Sequence, residues 1–275
     1  MKQDIAFGQY CEGNSVLHRL DPRAKIIIAI LFIVAIFLAK SVSSFLLLTA
    51  FTVGLVLISG ISPRIVMRGM KPLTFIIIFT AVINIVWITG DHLLFELGFI
   101  KIYLEGILNA VLIILRIVLL LTATSMFLTY TTTPIALTDG LEQLLAPLKK
   151  LHVPVHEFSM MMTIALRFIP TLTEETEKIM NAQKARGADF SEGSIIQRAK
   201  ALIPILVPLF ISSFRRADEL ATAMECRCYT GGEGRTRMNV LHATGKDYLF
   251  TVGMIVVGTA VVLLNIFLPV YLLAM

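Results

Sequence analysis

Charge is scarce in this sequence. Asp, Glu, Lys and Arg make up 16% of its 275 residues, and hydrophobic residues make up 56%. Soluble domains carry about 25% charged residues. The shortage is uneven, with long uncharged stretches and one dense central block, which excludes an ordinary soluble domain and favours a membrane protein. Cysteine is scarce too: Cys11, Cys226 and Cys228 are the only three. An odd count, with two thiols one residue apart, excludes a disulfide framework, and chain geometry disfavours so short a bridge. The thiols are expected to be reduced and cytoplasmic. No short apolar run follows close behind a charged start, because the first begins at Ile26. A cleavable signal peptide is therefore not expected, and the first span serves as its own insertion signal.

Catalytic and ligand-binding motifs are also missing. A phosphate-binding loop needs spaced glycines followed by Lys and Ser/Thr. The run Gly231-Gly232-Glu233-Gly234-Arg235-Thr236 lacks that spacing and the Lys, so it reads as a loop. His152 and His156 are four apart, but Pro154 between them breaks a shared helix face. Cys226 and Cys228 lack a second pair of ligands for zinc. No metal and no cofactor is expected. A membrane-embedded enzyme needs clustered His, Asp, Glu, Cys or Ser near the membrane; none stands out, so the chain is not expected to be an enzyme. The net charge is +5 and the pI about 9.2. The charged block is nearly balanced in sign, which argues against a nucleic-acid surface. The basic excess fits cytoplasm-facing loops.

What the sequence does have is apolar runs of spanning length, about 20 residues at 1.5 Å each. Five are expected: 24–39, 41–59, 72–89, 106–130 and 248–273. Lys25 and Lys40 can snorkel from the ends of the first. Lys2, Arg19, Arg23 and Lys25 precede it, and Arg64, Arg68 and Lys71 lie between the second and third. Both segments read as cytoplasmic. Asp91, Glu96 and Glu105 outnumber Lys101 before the fourth span, and no Lys or Arg follows Lys246. The N-terminus is thus expected inside and the C-terminus outside. The expected class is all-α, a polytopic helical membrane protein. Residues 1–130 form a membrane domain of four spans, 131–247 a cytoplasmic helical coupling domain, and 248–275 a last transmembrane helix.

The block 131–247 holds 14 of the 24 basic and 13 of the 19 acidic residues. Pro134 can open a helix, and 135–151 is amphipathic. The Met-rich stretch 155–168 is expected to stop near Pro170. Thr171 and Glu174 have capping-box spacing for a charged helix over 171–186, which Gly187 would close. A further helical stretch runs over 194–227. Its apolar middle, 201–214, contains Pro204 and Pro208, which bend a helix. It reads as a bent helix at the membrane interface, or alternatively as half of a hairpin. Arg116 lies inside a span, where charge suggests function; the alternative is packing against a partner helix. Asn84 is a candidate for interhelical bonding.

Two helix ends look alike. Ala182-Gln-Lys-Ala185-Arg186-Gly187-Ala188 and Ala223-Met-Glu-Cys226-Arg227-Cys228-Tyr229 each place an Arg among small residues at the end of a charged helix. Small neighbours permit close approach, and the guanidinium offers a rigid fork of donors. Docking and plain solvated termini both remain open from these residues alone.

These tips resemble the paired alanine-arginine-glycine signatures of the energy-coupling factor transporters, and the chain resembles their membrane T component throughout its length. Leu20-Asp21-Pro22-Arg23-Ala24-Lys25 is similar to the segment before that family's first span. The resemblance implies a scaffold for two ABC-type ATPase subunits and for a membrane-embedded substrate-binding S component, in a vitamin or micronutrient importer of the cell membrane. It implies that Ala185, Arg186, Gly187, Cys226, Arg227 and Cys228 bind the ATPases. Cys226 and Cys228 depart from the expected Ala and Gly. The Met-rich stretch 155–168, with Met160, Met161 and Met162, and the apolar stretch 201–214, with Leu202, Leu206 and Leu209, would form a sliding surface for the S component, since Met repacks easily; ordinary core packing is the alternative for the Met cluster. A free-standing secondary transporter is the rival reading. It predicts a polar path through the spans, hinted at only by Arg116 and Asn84.

Overall fold

Asp21 caps the first helix, α1 (Pro22–Leu38), by accepting the Arg23 amide hydrogen bond, and Pro22 takes the first turn, where an amide hydrogen is not needed. The computed structural model describes residues 10–88, 93–97, 100–151, 153–188, 190, 194–231 and 241–267. Ser41 caps α2 (Val42–Ser59), which ends on Gly60 in the left-handed conformation (φ +68°). α3 (Pro63–Met70), a 3-10 turn (Lys71–Leu73) and α4 (Thr74–Trp87) follow without a break. An antiparallel hairpin, β1 (Leu93–Leu97) and β2 (Ile100–Tyr103), leads to α5 (Leu104–Thr124) and a π-helical turn, Ser125–Tyr130. Then come α6 (Pro134–Leu145), a 3-10 segment (Ala146–Leu151), α7 (Val155–Ala185), α8 (Ile195–Cys226) and α9 (Gly245–Phe267).

The protein is an all-α, multi-pass membrane protein, as expected; strand structure among the described residues is confined to the small hairpin. Five rods are long and apolar enough to cross a bilayer: Val42–Ser59, Pro63–Trp87, Leu104–Tyr130, Ile196–Cys226 and Gly245–Phe267. α1 is equally apolar but has 17 residues, so it covers about 26 Å. The end of the 248–273 span, His152 and residues 232–236 lie outside the described residues.

Two compact units emerge. One holds Gly8–Gln143 together with Leu241–Met275, so that 131–143 and 241–247 belong with the membrane helices. Its core lies among α1, α2, α5 and α9, where Phe32, Phe45, Leu48, Leu119, Phe127, Met254 and Val261 are buried. Outward-facing residues are apolar as well. α4 has no buried residue, and Phe75 and Trp87 are 77% and 81% exposed. A surface of that kind needs lipid or a partner. α4 approaches α5 closely at Gly106, where a Cβ would come within 3.3–3.4 Å of the Ile85, Asn84 and Ile88 carbonyl oxygens.

The other unit spans Leu144–Val240 and is built on α7 and α8. Here the structure corrects an expectation. α7 does not stop near Pro170 but continues through it for 31 residues, so Thr171 lies mid-helix and caps nothing. A proline removes one hydrogen bond and bends a helix, at about 3 kcal/mol; in so long a helix the loss is tolerated. α8 likewise passes through Pro204 and Pro208. Pro208 has no amide hydrogen for the Pro204 carbonyl, and the Gln183 side chain reaches across from α7 to donate to that oxygen at 3.4 Å. Arg216 on α8 and Glu175 on α7 form an ion pair at 2.7 Å. Gln183 sits beside Pro204 and Glu175 beside Arg216, so α7 and α8 run antiparallel.

Candidate functional site

The two arginine tips share one backbone geometry. At the end of α7, the Gly187 amide donates to the Lys184 carbonyl (2.9 Å) and the Ala188 amide to the Gln183 carbonyl (3.0 Å). At the end of α8, the Cys228 amide donates to Glu225 (2.8 Å) and the Tyr229 amide to Met224 (3.0 Å). Both ends are Schellman closures, with Arg186 or Arg227 as the last residue before a left-handed position. Glycine fills that position in one (Gly187, φ +87°) and cysteine in the other (Cys228, φ +55°). Ala185, Arg186, Gly187, Cys226, Arg227 and Cys228 are all exposed. The guanidinium groups project beside the negative ends of their helices, which favours a cation there.

Antiparallel packing separates the tips. Arg186 lies three residues past Gln183, and Arg227 lies 23 residues past Pro204 along α8. The two offsets run in opposite directions, so at 1.5 Å per residue the tips stand roughly 39 Å apart along the helix pair. Such spacing suits two separate sockets rather than one.

Between the tips, α8 presents an apolar face. Leu206, Val207, Leu209, Phe210, Ile211 and Ser213 line an open groove of about 400 Å³. Of the sequence-derived contact residues, the structure brings Leu206 and Leu209 into this groove. Leu202 is exposed outside its lining, as are Met161 and Met162 on α7, while Met160 is half-buried. Ile203, Val207, Phe210, Ile211 and Phe214 fall within the expected stretch 201–214 but were not singled out as contact residues, although the positions 203, 206, 207, 210, 211 and 214 follow one helical face. All of them are exposed, and Phe210 and Phe214 meet edge to face at 4.7 Å.

The intramembrane polar candidates each bond to a helix carbonyl. Arg116 donates to the Ala39 carbonyl at the C-terminal end of α1 (3.0 Å) and lies over the Phe45 ring, 5.3 Å from its centroid. Asn84 donates within its own helix, to the Thr80 carbonyl. Asn265 on α9 secures the same corner as Arg116: it donates to Leu38 O and accepts from the Ser41 amide and the Ser44 hydroxyl.

A polar cluster at the start of α1 carried no recognisable signal beyond the motif itself. Lys25, 1% exposed, donates from Nζ to the Thr131 carbonyl (2.7 Å), Thr132 Oγ1 (3.1 Å) and the His18 carbonyl (3.3 Å). Arg23 pairs with Asp21 and donates to the Leu241 carbonyl (2.9 Å). Asp247 Oδ1 accepts from the Asp21 amide (2.7 Å), and its Oδ2 accepts from the Thr244 amide (2.6 Å). Burial pushes the Asp21 carboxyl up, but hydrogen bonds and positive charge from Arg23 outweigh it and hold the group below its ordinary range.

Residues 13–238 match the CbiQ family, described as cobalt transport protein. The chain is 54% identical over 265 residues to the energy-coupling factor transporter transmembrane protein EcfT of Ruminiclostridium cellulolyticum, covering 96% of this chain and 98% of that one. The protein of the same name from Bacillus subtilis is 49% identical over 258 residues, covering 94% and 97%. The chain belongs to the CbiQ family. It is the membrane scaffold component of an energy-coupling factor transporter.

Within this CbiQ-family scaffold, Cys228 marks a local strain. A left-handed residue with a Cβ costs about 1–2 kcal/mol more than glycine, partly offset by the greater freedom of glycine in the unfolded chain. Cys228→Gly is therefore expected to stabilise the α8 end by about 1 kcal/mol. Amide exchange at Tyr229, which donates to Met224, should slow about five-fold. Faster exchange in that variant would contradict the assigned closure.

Proposed function

We propose that this scaffold performs no chemistry of its own and couples two ABC-type ATPase subunits to a membrane-embedded S component that captures a vitamin or other micronutrient. Arg186 and Arg227 seat in one ATPase each, and the exposed face of α7 and α8, including Met160, Met161, Met162, Leu202, Leu206 and Leu209, meets the S component. The observation that carries this reading is the pair of identical helix closures, each exposing an arginine and separated along α8. A guanidinium beside an αL turn gives a socket carboxylate or carbonyl two parallel donors with little backbone in the way.

The same reading has residues 131–247 acting on the cytoplasmic side, the N-terminus inside and the C-terminus outside. It takes α1 as a span and α8 as a coupling helix at the interface. α8 carries Arg198, Lys200, Arg215, Arg216, Asp218 and Glu219, which fit an interfacial rod better than a lipid-embedded one. Against the rival secondary transporter, Arg116 and Asn84 each donate to a helix carbonyl and do not by themselves make a polar path.

Affinity purification in mild detergent, with mass spectrometry of what accompanies the chain, tests the reading. Two ATPase chains and a small hydrophobic protein are expected. Recovery of the chain alone, combined with substrate uptake by that chain in liposomes lacking ATP, would overturn it.

A further inference from the structure

The segment Leu144–Val240 is inserted into the membrane-helix unit, so the chain leaves that unit once and returns once. Both connections are tied to the same five residues at the start of α1. On the departing side, Thr131 and Thr132 bind Lys25 immediately after the π-helical turn. Six residues on from Pro134, Gly140 of α6 lies against Pro22 so tightly that a Cβ would sit 2.9 Å from the Pro22 Cβ and 3.2 Å from its carbonyl carbon. On the returning side, the first residue back, Leu241, accepts from Arg23, and Asp247 in the first turn of α9 accepts from the Asp21 amide. These bonds bridge sequence separations of 106 to 226 residues.

Unanchored connections would absorb a displacement of the inserted segment as loop motion. Anchored ones pass it on. The receiving element is well placed to carry it further, since α1 supplies Ile28, Phe32, Ala35 and Ile36 to the buried core shared with α2, α5 and α9. Packed cores transmit displacement because they compress little. We propose that residues 21–25 form the anchor through which movement of α7 and α8 reaches the membrane helices, with Arg23, Lys25 and Asp247 as positioning residues. The proposal rests on the coupling reading above.

The test uses the assembled complex and a non-hydrolysable ATP analogue as probe, read by hydrogen exchange. The Arg23→Gln/Thr132→Val double variant weakens one tie on each side while leaving Lys25 in place, and the Arg23 side chain is 28% exposed, so the fold should survive. In wild type, the analogue is expected to change exchange at least three-fold both at the α7 and α8 tips and along α1. In the double variant the change at the tips should persist and that along α1 should fall below 1.5-fold, with Arg23→Lys restoring it in the Thr132 wild-type background. An α1 response that survives in the double variant, or tip and α1 responses lost together, would overturn the anchor. A second measurement needs no partner: in the chain alone, Asp247→Ala, which removes both acceptor oxygens, should raise amide exchange at Asp21 and Thr244 at least ten-fold, and no increase there overturns the proposal. Wild-type complex without ATPase would overturn the functional reading instead, and slow exchange at Asp21 and Thr244 in that preparation would separate the two failures.

Discussion

Reversing the charge at Arg186 or Arg227 should sharply weaken association with an ATPase subunit, by 100-fold or more in affinity. Truncating or reversing one side of a buried hydrogen-bonded charge pair costs about 2–5 kcal/mol. The roughly 39 Å between the tips, at 1.5 Å per residue, makes the two losses independent, so Arg186→Glu and Arg227→Glu should each remove one ATPase and the double variant both. The native mass of complexes purified with each variant reads this out directly. Arg215→Glu, at an exposed arginine on α8 away from the tip, is the control and should retain both ATPases. Full retention by Arg186→Glu and Arg227→Glu alike would remove the arginines from the interface. Arg186→Lys should fall between, since a point cation keeps the charge but loses the fork.

The second large effect concerns stability. Lys25 is the most buried charge among the described residues, and its ammonium satisfies three oxygen acceptors. Lys25→Ala removes those donors, leaves the Thr131 carbonyl buried without this bond, and opens a space where the lysine stem lay. A lost charged hydrogen bond with an orphaned buried acceptor, added to a small cavity, should cost about 3 kcal/mol. The thermal midpoint of the purified chain in detergent should fall by several degrees. Lys25→Met fills most of the space and should recover only the cavity part. An unchanged midpoint in Lys25→Ala would show that the lysine is not holding the chain at Thr131.

Much of this architecture could be read in the sequence, and the reasons differ by element. The spans were legible because a bilayer demands long apolar runs; 41–59 carries no charge at all and 106–130 only Arg116. The tips were legible because an Arg followed by a small residue at the end of a charged helix has a definite capping role. Pro170 misled, since a local rule ends a helix that tertiary setting allows to continue. Cys228 was read only as a departure from glycine. That it adopts the glycine conformation depends on two backbone bonds that composition does not report. The groove on α8 had a visible 3–4 spacing, but Pro204 and Pro208 drew attention to bending instead. The anchor at 21–25 was least legible of all. Lys25 reads as a snorkelling lysine at a span end, whereas two of its three partners, Thr131 and Thr132, lie more than a hundred residues away and only folding brings them together. Arg116 and Asn265 teach the same lesson from opposite sides. One looked functional and the other went unnoticed, and together they hold the corner between α1 and α2.

The central claim is that the tips of α7 and α8 face the cytoplasm. The chain carries its own probes, because Cys226 and Cys228 flank Arg227 and are exposed, while Cys11 is half-buried. In a Cys11→Ser background expressed without partners, a membrane-impermeant maleimide should leave intact cells unlabelled and should label both thiols once the membrane is permeabilised. Labelling of Cys226 and Cys228 in intact cells would put the arginine tips outside, where no ATPase could reach them.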